Sequence, residues 1–452
     1  MASQQGNRLR DAFRNSDFSR VFHLRTPVGR SRSAILFNTA LCNIGSAFTS
    51  GALYTAFLAE NGLDIVRVGI ITLIPYISWV LSLFSPMLMR HFPRRRGALI
   101  FNSMCYYSCV TLATTIMPLF VSDPEVKTWL FALFLLIANA SNALLGNGCT
   151  TWILRFIPQG RDLNIYTQYN NLVGLVLTNL TGIGAALAAT VLEGSPHRMA
   201  FLVGLRLFAF VLFIVAELVR FLVPPETTLP VPDKRLSPLH LVREPLRHKP
   251  FMSAVVISIF WSFLVAINAS TFSYYILETV KVPLVLMYLG SITTALTSLF
   301  LSGRFRRITD RISPYRTIAV FALLFGINEA MFSLIVPGRV ALYVVFAITY
   351  AVIGVGFLMG YNSLFYLNLP KGCNTDVFST FWHLAANLAS LGGSAFGTWL
   401  LSMFGAQKLP LFGLEIYGSQ LLCGIKSLLC IGFFLLVWKI TPYLQKNRTE
   451  PD

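Results

Sequence analysis

Acidic residues are scarce in this chain. Its 452 residues hold 19 Asp and Glu against 36 Lys and Arg, and charged residues of both signs make up only 12% of it. A water-soluble domain carries about a quarter of its residues charged, so an ordinary globular protein is excluded. Cysteine is scarce too: there are seven, an odd number, and six lie within long apolar stretches, which argues against a disulfide framework. Cys105 and Cys109 have no third ligand near them in sequence, so no metal site is expected and they read as packing residues. No cofactor motif is present. The first 32 residues have no apolar core of signal-peptide length, and Asp11 and Asp17 speak against the rival reading of a mitochondrial presequence. The glycosylation triplets at Asn139, Asn179 and Asn268 fall inside apolar stretches, and the one at Asn447 lies on the basic side, so none is usable. A membrane enzyme would need a nucleophile with its base, or a metal cluster, near one interface. Neither is found, and the chain is read as a non-enzyme.

Apolar runs are plentiful. Twelve of them, at residues 33–59, 65–89, 97–121, 129–157, 165–192, 198–223, 251–277, 282–303, 315–336, 340–369, 376–404 and 414–439, each exceed the roughly 20 residues a helix needs to cross a bilayer. The expected fold is therefore an all-α polytopic membrane protein with twelve transmembrane helices. Lys and Arg alternate between the two sides: 28 belong to the tails and every second loop, and six to the intervening loops, including Arg67, Lys127, Arg198 and Arg339. The positive-inside rule then places both termini in the cytoplasm, in a multi-pass protein of the plasma membrane. The net charge of +17 sits on one membrane face, where anionic headgroups attract it. It is a topology signal, and nucleic acid is not an expected partner.

The organisation follows: a basic tail (1–32), a first six-helix half (33–223), a linker (224–250), a second six-helix half (251–440) and a short tail (441–452). In the first tail, Phe13, Phe18, Val21, Phe22 and Leu24 suggest one face of a short interfacial helix. The linker has seven prolines, and Ser237-Pro238 starts a helix whose Leu239, Val242 and Leu246 are expected on the membrane surface.

The halves repeat one another. Phe156-Ile157-Pro158-Gln159-Gly160 is echoed 212 residues later by Asn368-Leu369-Pro370-Lys371-Gly372, and Gly204-Leu205-Arg206 recurs 220 residues later as Gly424-Ile425-Lys426. A parallel repeat after six spans is a transporter signature. Between spans 2 and 3, Arg90-His91-Phe92-Pro93-Arg94-Arg95-Arg96 keeps the basic end of a known loop motif, with Arg90 where an Asp is usual, and its second copy, Gly303 to Arg316, keeps Asp310-Arg311 and ends in Pro314-Tyr315-Arg316. On these grounds residues 33 to 440 resemble the major facilitator superfamily of secondary transporters. The resemblance implies two pseudo-symmetric bundles rocking about a central cavity, with helices 1, 4, 7 and 10 lining it and helices 3, 6, 9 and 12 outside. Helix 4 carries only Arg155, at its end, where many proton-coupled drug exporters of the family have a central Arg.

Carried over, the cavity helices supply Asn43, Tyr54, Asn139, Asn142, Trp261, Asn268, Tyr274, Tyr361 and Asn362 as substrate-binding candidates. Amides, phenols and indoles offer hydrogen bonds beside flat apolar faces, which suits a small uncharged or weakly polar organic solute. The same polar groups can instead serve neighbouring helices, since a polar group left unpaired in hydrocarbon is costly. Charges inside spans are the sharper signal: Arg206, Glu329, Lys426 and the interfacial Glu217 with Arg220. Lys426 is too deep to reach the surface, and Glu329 is the one deep carboxylate in its half, so the two are expected to pair. No carboxylate lies deep in the cavity helices; a coupling proton would fall to His383 or Glu329, or no ion is coupled. Arg90 or Arg94 is expected to meet Asp376, at the start of helix 11, as a cytoplasmic latch. The function expected is a monomeric transporter of a small solute among membrane lipids. A sensor or lipid-moving protein on the same scaffold and a proton-coupled drug or metabolite exporter are the alternatives.

Overall fold

The computed structural model describes residues 21–24, 26–88, 95–154, 156–157, 161–224, 238–370, 375–404, 408–411 and 414–449. Helices are numbered here after the twelve predicted spans, and each span is largely helical. Ten helices among the described residues are long and apolar enough to cross a membrane. The other two predicted spans are helical as well, helix 1 in two pieces and helix 11 as one run, Thr375–Phe404.

Helix 1 starts where Pro27 fixes the first turn and Thr26 caps it, accepting from the Gly29 N–H at 3.1 Å. It runs Pro27–Thr49, breaks at extended Ser50, and resumes as Gly51–Glu60. Gly51 sits at φ +61°, a conformation that a side chain would strain, and this is why one predicted span is two helices. Helix 2 (Ile65–Ser78) is capped by Asp64 and contains Pro75; the missing N–H loosens the helix, which tightens to a 3₁₀ turn over Trp79–Phe84 before Ser85–Leu88. Helix 3 comprises Arg95–Tyr107, a π-helical segment at Ser108–Ala113, and Thr114–Phe120. Helices 4 (Pro124–Leu154), 5 (Arg161–Val191) and 6 (Arg198–Val219) complete the first series.

After the short linker helix Pro238–Leu246, helix 7 runs Lys249–Ala266, is interrupted at Ile267 and Asn268, and continues as Ala269–Tyr274 and a π-helical Tyr275–Thr279. The single uninterrupted span expected there is corrected to a broken helix. Such breaks persist in membranes only where the freed backbone is satisfied by protein or lines a cavity. Helix 8 (Leu284–Met287, then Leu289–Ile312) outruns its predicted span by nine residues, to Ile312. Helix 9 (Pro314–Phe332) and helix 10 (Val340–Leu367) follow. The twelfth span was expected from residue 414, but 414–417 form strand β2 (Leu414–Tyr417), antiparallel to β1 (Lys408–Leu411), and helix 12 is Gly418–Thr449. Gln420 secures this start: its amide donates to the Ser333 and Ile335 carbonyls, both at 2.9 Å, and its oxygen accepts the Tyr417 N–H.

The core explains the assembly. Phe251, Ile257, Ile318, Phe357, Phe378 and Phe433 pack helices 7, 9, 10, 11 and 12 together, while Ile35, Ile100, Trp152 and Val223 do so in the first series. A third cluster joins the two series, setting Leu53, Phe57 and Phe131 against Leu277, Leu284 and Tyr288. Tyr288 lies over Gly182 of helix 5 and donates to the Ala47 carbonyl of helix 1 at 3.4 Å; Gly69 of helix 2 faces Thr398 of helix 11. These contacts close the two series at the end of the molecule bearing the 61–64 and 280–283 loops. Phe300, Leu428 and Phe101 remain about 70% exposed on the outside, the surface that lipid would cover. Val21 and Phe22 do not form the outer face of an interfacial helix: both are buried, with Phe22 stacked on Tyr166 of helix 5 at 5.6 Å.

Candidate functional site

Two cations lie deep in the protein. Lys426 of helix 12 is 2.7 Å from Glu329 Oε1 of helix 9, and its Nζ donates to Asn268 Oδ1 of helix 7 at 2.8 Å. Asn268 is the residue at which helix 7 is interrupted, and its amide also reaches Cys423 Sγ at 3.5 Å. Glu329 Oε2 is buried without a hydrogen-bond partner. These three side chains border a cavity of about 300 Å³ between helices 7, 8, 9, 10 and 12. Its walls are aromatic and small: Phe272, Phe332, Tyr343 and Tyr350, with Gly290 and Ala347 giving the room.

Arg206 of helix 6, 2% exposed, has no carboxylate. Its Nε and Nη2 donate to the Thr115 and Thr114 hydroxyls of helix 3, both at 2.7 Å, and Nη2 to the Val110 carbonyl at 3.2 Å. Val110 lies inside the π-helical segment, where the widened turn exposes a carbonyl to an outside donor. The Phe57 and Tyr54 rings cover the guanidinium, 4.4 and 5.2 Å from its carbon. Sequence reasoning did not anticipate these threonines; the pair Thr114-Thr115 inside an apolar span was the available signal.

The remaining candidates disperse. Asn43 donates to the Thr39 carbonyl and accepts from Thr178 at 3.0 Å, tying helix 1 to helix 5. Asn139 turns back on the Leu135 carbonyl, and Asn142 lies against Gly146 of its own helix. Trp261 stacks on Phe357 at 3.8 Å, and the Tyr361 hydroxyl shares a hydrogen bond with Ser258 at 2.8 Å. Tyr274 packs against the cluster joining the two series, and Asn362 is exposed. Of the nine substrate-binding candidates, Asn268 alone borders the cavity. The resemblance placed helices 9 and 12 outside the central cavity; the cavity seen here lies within the second series, where they bring Glu329 and Lys426 to the break in helix 7.

His383 is exposed on helix 11, away from any described carboxylate partner. Glu217 meets Arg220 at 2.8 Å, and Arg198 meets Glu60 at 2.9 Å. Arg90 and Arg94 lie outside the described residues; Asp376 is in the first turn of helix 11, its side chain outside the description. Asp310 lies 4.0 Å from Arg306 one turn earlier, both exposed, and Arg311 closes the same helix. Among the described residues no cluster of His, Cys, Asp or Glu suited to a metal ion is present.

The chain is a helical membrane bundle with a broken helix beside a small polar cavity, and comparison with solved structures shows which fold this is. The chain has the fold of the major facilitator transporters. A bacterial homologue of the iron transporter ferroportin in its inward-facing state superposes with a TM-score of 0.65 at 14% identity, covering 91% of this chain and 98% of that one. An inward-facing bacterial homologue of the human lysosomal transporter Spinster gives 0.64 at 14%, covering 94% and 99%. The nucleoside transporter NupG gives 0.58 at 14%, covering 92% and 100%. No protein-family model and no curated relative matches the sequence.

Proposed function

We propose that this chain is a secondary transporter of a small organic solute, working by alternating access between a half at 33–223 and a half at 251–440. The segment 224–250 is the connecting linker, and 1–32 and 441–452 are cytoplasmic tails of a monomer in the plasma membrane. One observation carries the reading: the Glu329–Lys426 pair borders a cavity of about 300 Å³ at the break in helix 7. Polar groups are costly in hydrocarbon, and a broken helix beside them is the arrangement in which transporters hold solutes at mid-membrane depth. The volume lies at the low end for ligand sites, which argues for a compact solute. With the charge bias setting the sides, the contacts around Tyr288 and Gly69 lie toward the outer end, and Leu83 of helix 2 packs on the second-series core toward the cytoplasmic end. A latch from Arg90 or Arg94 to Asp376 would stabilise the outward-open state.

Transport is tested in proteoliposomes: candidate solutes should accumulate or exchange with wild-type protein, and Asn268→Ala should reduce the rate at least about tenfold. Equal flux in empty and protein-bearing vesicles would refute the reading. Topology is tested by labelling single cysteines at residues 2 and 452 in intact cells, which should be protected; labelling from outside would reverse the sides. The latch is tested by Arg90→Asp and Asp376→Arg, each expected to favour the inward-open state, with the double reversal restoring the balance.

A further inference from the structure

We infer that the cavity beside Glu329 and Lys426 recognises an uncharged, planar solute with an amide-type edge, an N–H next to a C=O. This rests on the reading above that the cavity is the solute site, and it adds the chemistry the solute must have.

The inference starts from unused hydrogen-bonding capacity. A carboxylate accepts at both oxygens and an ammonium has three donors. Glu329 Oε1 is engaged by Lys426, whereas Oε2 has no partner and Glu329 is 1% exposed. Lys426 directs two donors, to Glu329 and to Asn268, and among the described residues no third acceptor is found for it. The pair therefore offers one spare acceptor, itself buried, and one spare donor, on two adjacent residues that border the cavity. Leaving such groups unmatched in a low-dielectric site is costly, and a ligand that matches both recovers that cost.

Charge selects further. Glu329 and Lys426 neutralise one another, so an anion or a cation would bring an uncompensated charge against the apolar faces of Phe272, Phe332 and Tyr350. An uncharged edge that donates to Glu329 and accepts from Lys426 leaves the site neutral. The aromatic walls favour a flat ring behind that edge, by offset or edge-on contact. Size completes the class: since about 150 Å³ suffices for a benzene ring, the cavity holds roughly a dozen non-hydrogen atoms.

The test uses purified full-length protein in nanodiscs and five probes: benzamide, 2-pyridone, N,N-dimethylbenzamide, benzoate and benzylammonium. Binding is read by thermal shift and calorimetry. Benzamide and 2-pyridone, which have the full edge, should bind at least about tenfold more tightly than N,N-dimethylbenzamide, which has the C=O alone, and than either ion. Glu329→Gln keeps the shape and keeps a carbonyl for Lys426 but turns a donor toward the solute, so the preference should invert toward N,N-dimethylbenzamide. A loss of packing could weaken all probes together but would not invert their order. Tighter binding of benzoate or benzylammonium than of benzamide to the wild-type protein, an unchanged order of the amides in Glu329→Gln, or binding of none of the probes would overturn the proposal. Flux of the same labelled probes in proteoliposomes separates the two readings. Binding that inverts without flux leaves this recognition standing and refutes transport, whereas flux indifferent to Glu329→Gln leaves transport standing and refutes this recognition.

Discussion

Arg206 and Lys426 occupy matching places in the repeated sequence, Gly-Leu-Arg and Gly-Ile-Lys, yet the two halves of the chain hold them by different means. Lys426 has a carboxylate from helix 9 and an amide from helix 7; Arg206 has two hydroxyls and a carbonyl from helix 3 and two aromatic faces from helix 1. The partners come from corresponding helices, 9 and 3, 7 and 1, so the scaffold has kept the depth and direction of the cation while its chemistry has diverged. The side chains suit the difference. A guanidinium spreads its charge over a plane and stacks on rings, so it tolerates a site without a counter-charge, whereas a compact ammonium needs strong acceptors. Both sides have a helix break nearby, at Ser50–Gly51 in helix 1 and at Ile267–Asn268 in helix 7, but it is the lysine side that borders the cavity of about 300 Å³. Each site keeps one buried polar atom unpartnered, Arg206 Nη1 and Glu329 Oε2, so the difference teaches that the cavity, and not spare hydrogen bonding alone, sets the lysine site apart.

The comparison breaks most visibly at the ion pair. Lys426→Met strands Glu329 and should destabilise the protein by ~3–5 kcal/mol, and Glu329→Leu should cost a similar amount, while the double replacement should cost less than either. Melting of the three variants in one detergent checks this, and a double mutant that simply adds the single losses would mean that the two residues do not act together. Gly397→Ala comes next. A methyl there meets the Ile267 carbonyl at the break in helix 7, so overpacking of ~1–3 kcal/mol is expected, together with weakened solute binding at Asn268. Normal stability with normal flux would separate the break from the site.

Arg206→Met is expected to cost only ~1–2 kcal/mol, the cation–π contact and the net hydrogen bonds. Thr114 and Thr115 already donate to the Val110 and Thr111 carbonyls, both at 2.5 Å, so their hydroxyls keep a partner when the guanidinium leaves. A loss as large as that of Lys426→Met would show that the two cations are equally dependent on their surroundings. Smallest of all, Gly204→Ala and Gly424→Ala should each fall within ~0.5 kcal/mol of wild type, because an added methyl at either meets nothing within 4 Å. Those twin glycines therefore serve as controls for the twin cations beside them.

The helical membrane class, the helix order and the Lys426–Glu329 pairing were legible in the chain. Apolar length fixes a span because hydrocarbon tolerates no unpaired backbone, and an intramembrane charge must find a partner, which narrows Lys426 to Glu329. Interruptions were less legible. Gly51 breaks helix 1 through its own φ, but nothing local marks Asn268 as the break in helix 7; there Ile267 and Asn268 lie between helix 11, through Gly397, and helix 12, through Lys426. The strand at 414–417 read as helix because Leu414 and Ile416 are as apolar as the span that follows, and only its pairing with 408–411 distinguishes it.

The composition and periodicity of this chain thus determined a polytopic helical membrane protein with a repeated plan, since hydrophobic length and charge asymmetry act locally along the chain. The tertiary structure decided which polar residues share a site. Asn43, Trp261 and Tyr361 are the right residue types for a cavity, but neighbouring side chains claim their hydrogen bonds and faces; Glu329 and Lys426 border a cavity within the second series. That outcome depends on which helices touch, at what depth and with what gap between them, and these are properties of packing between segments far apart in sequence.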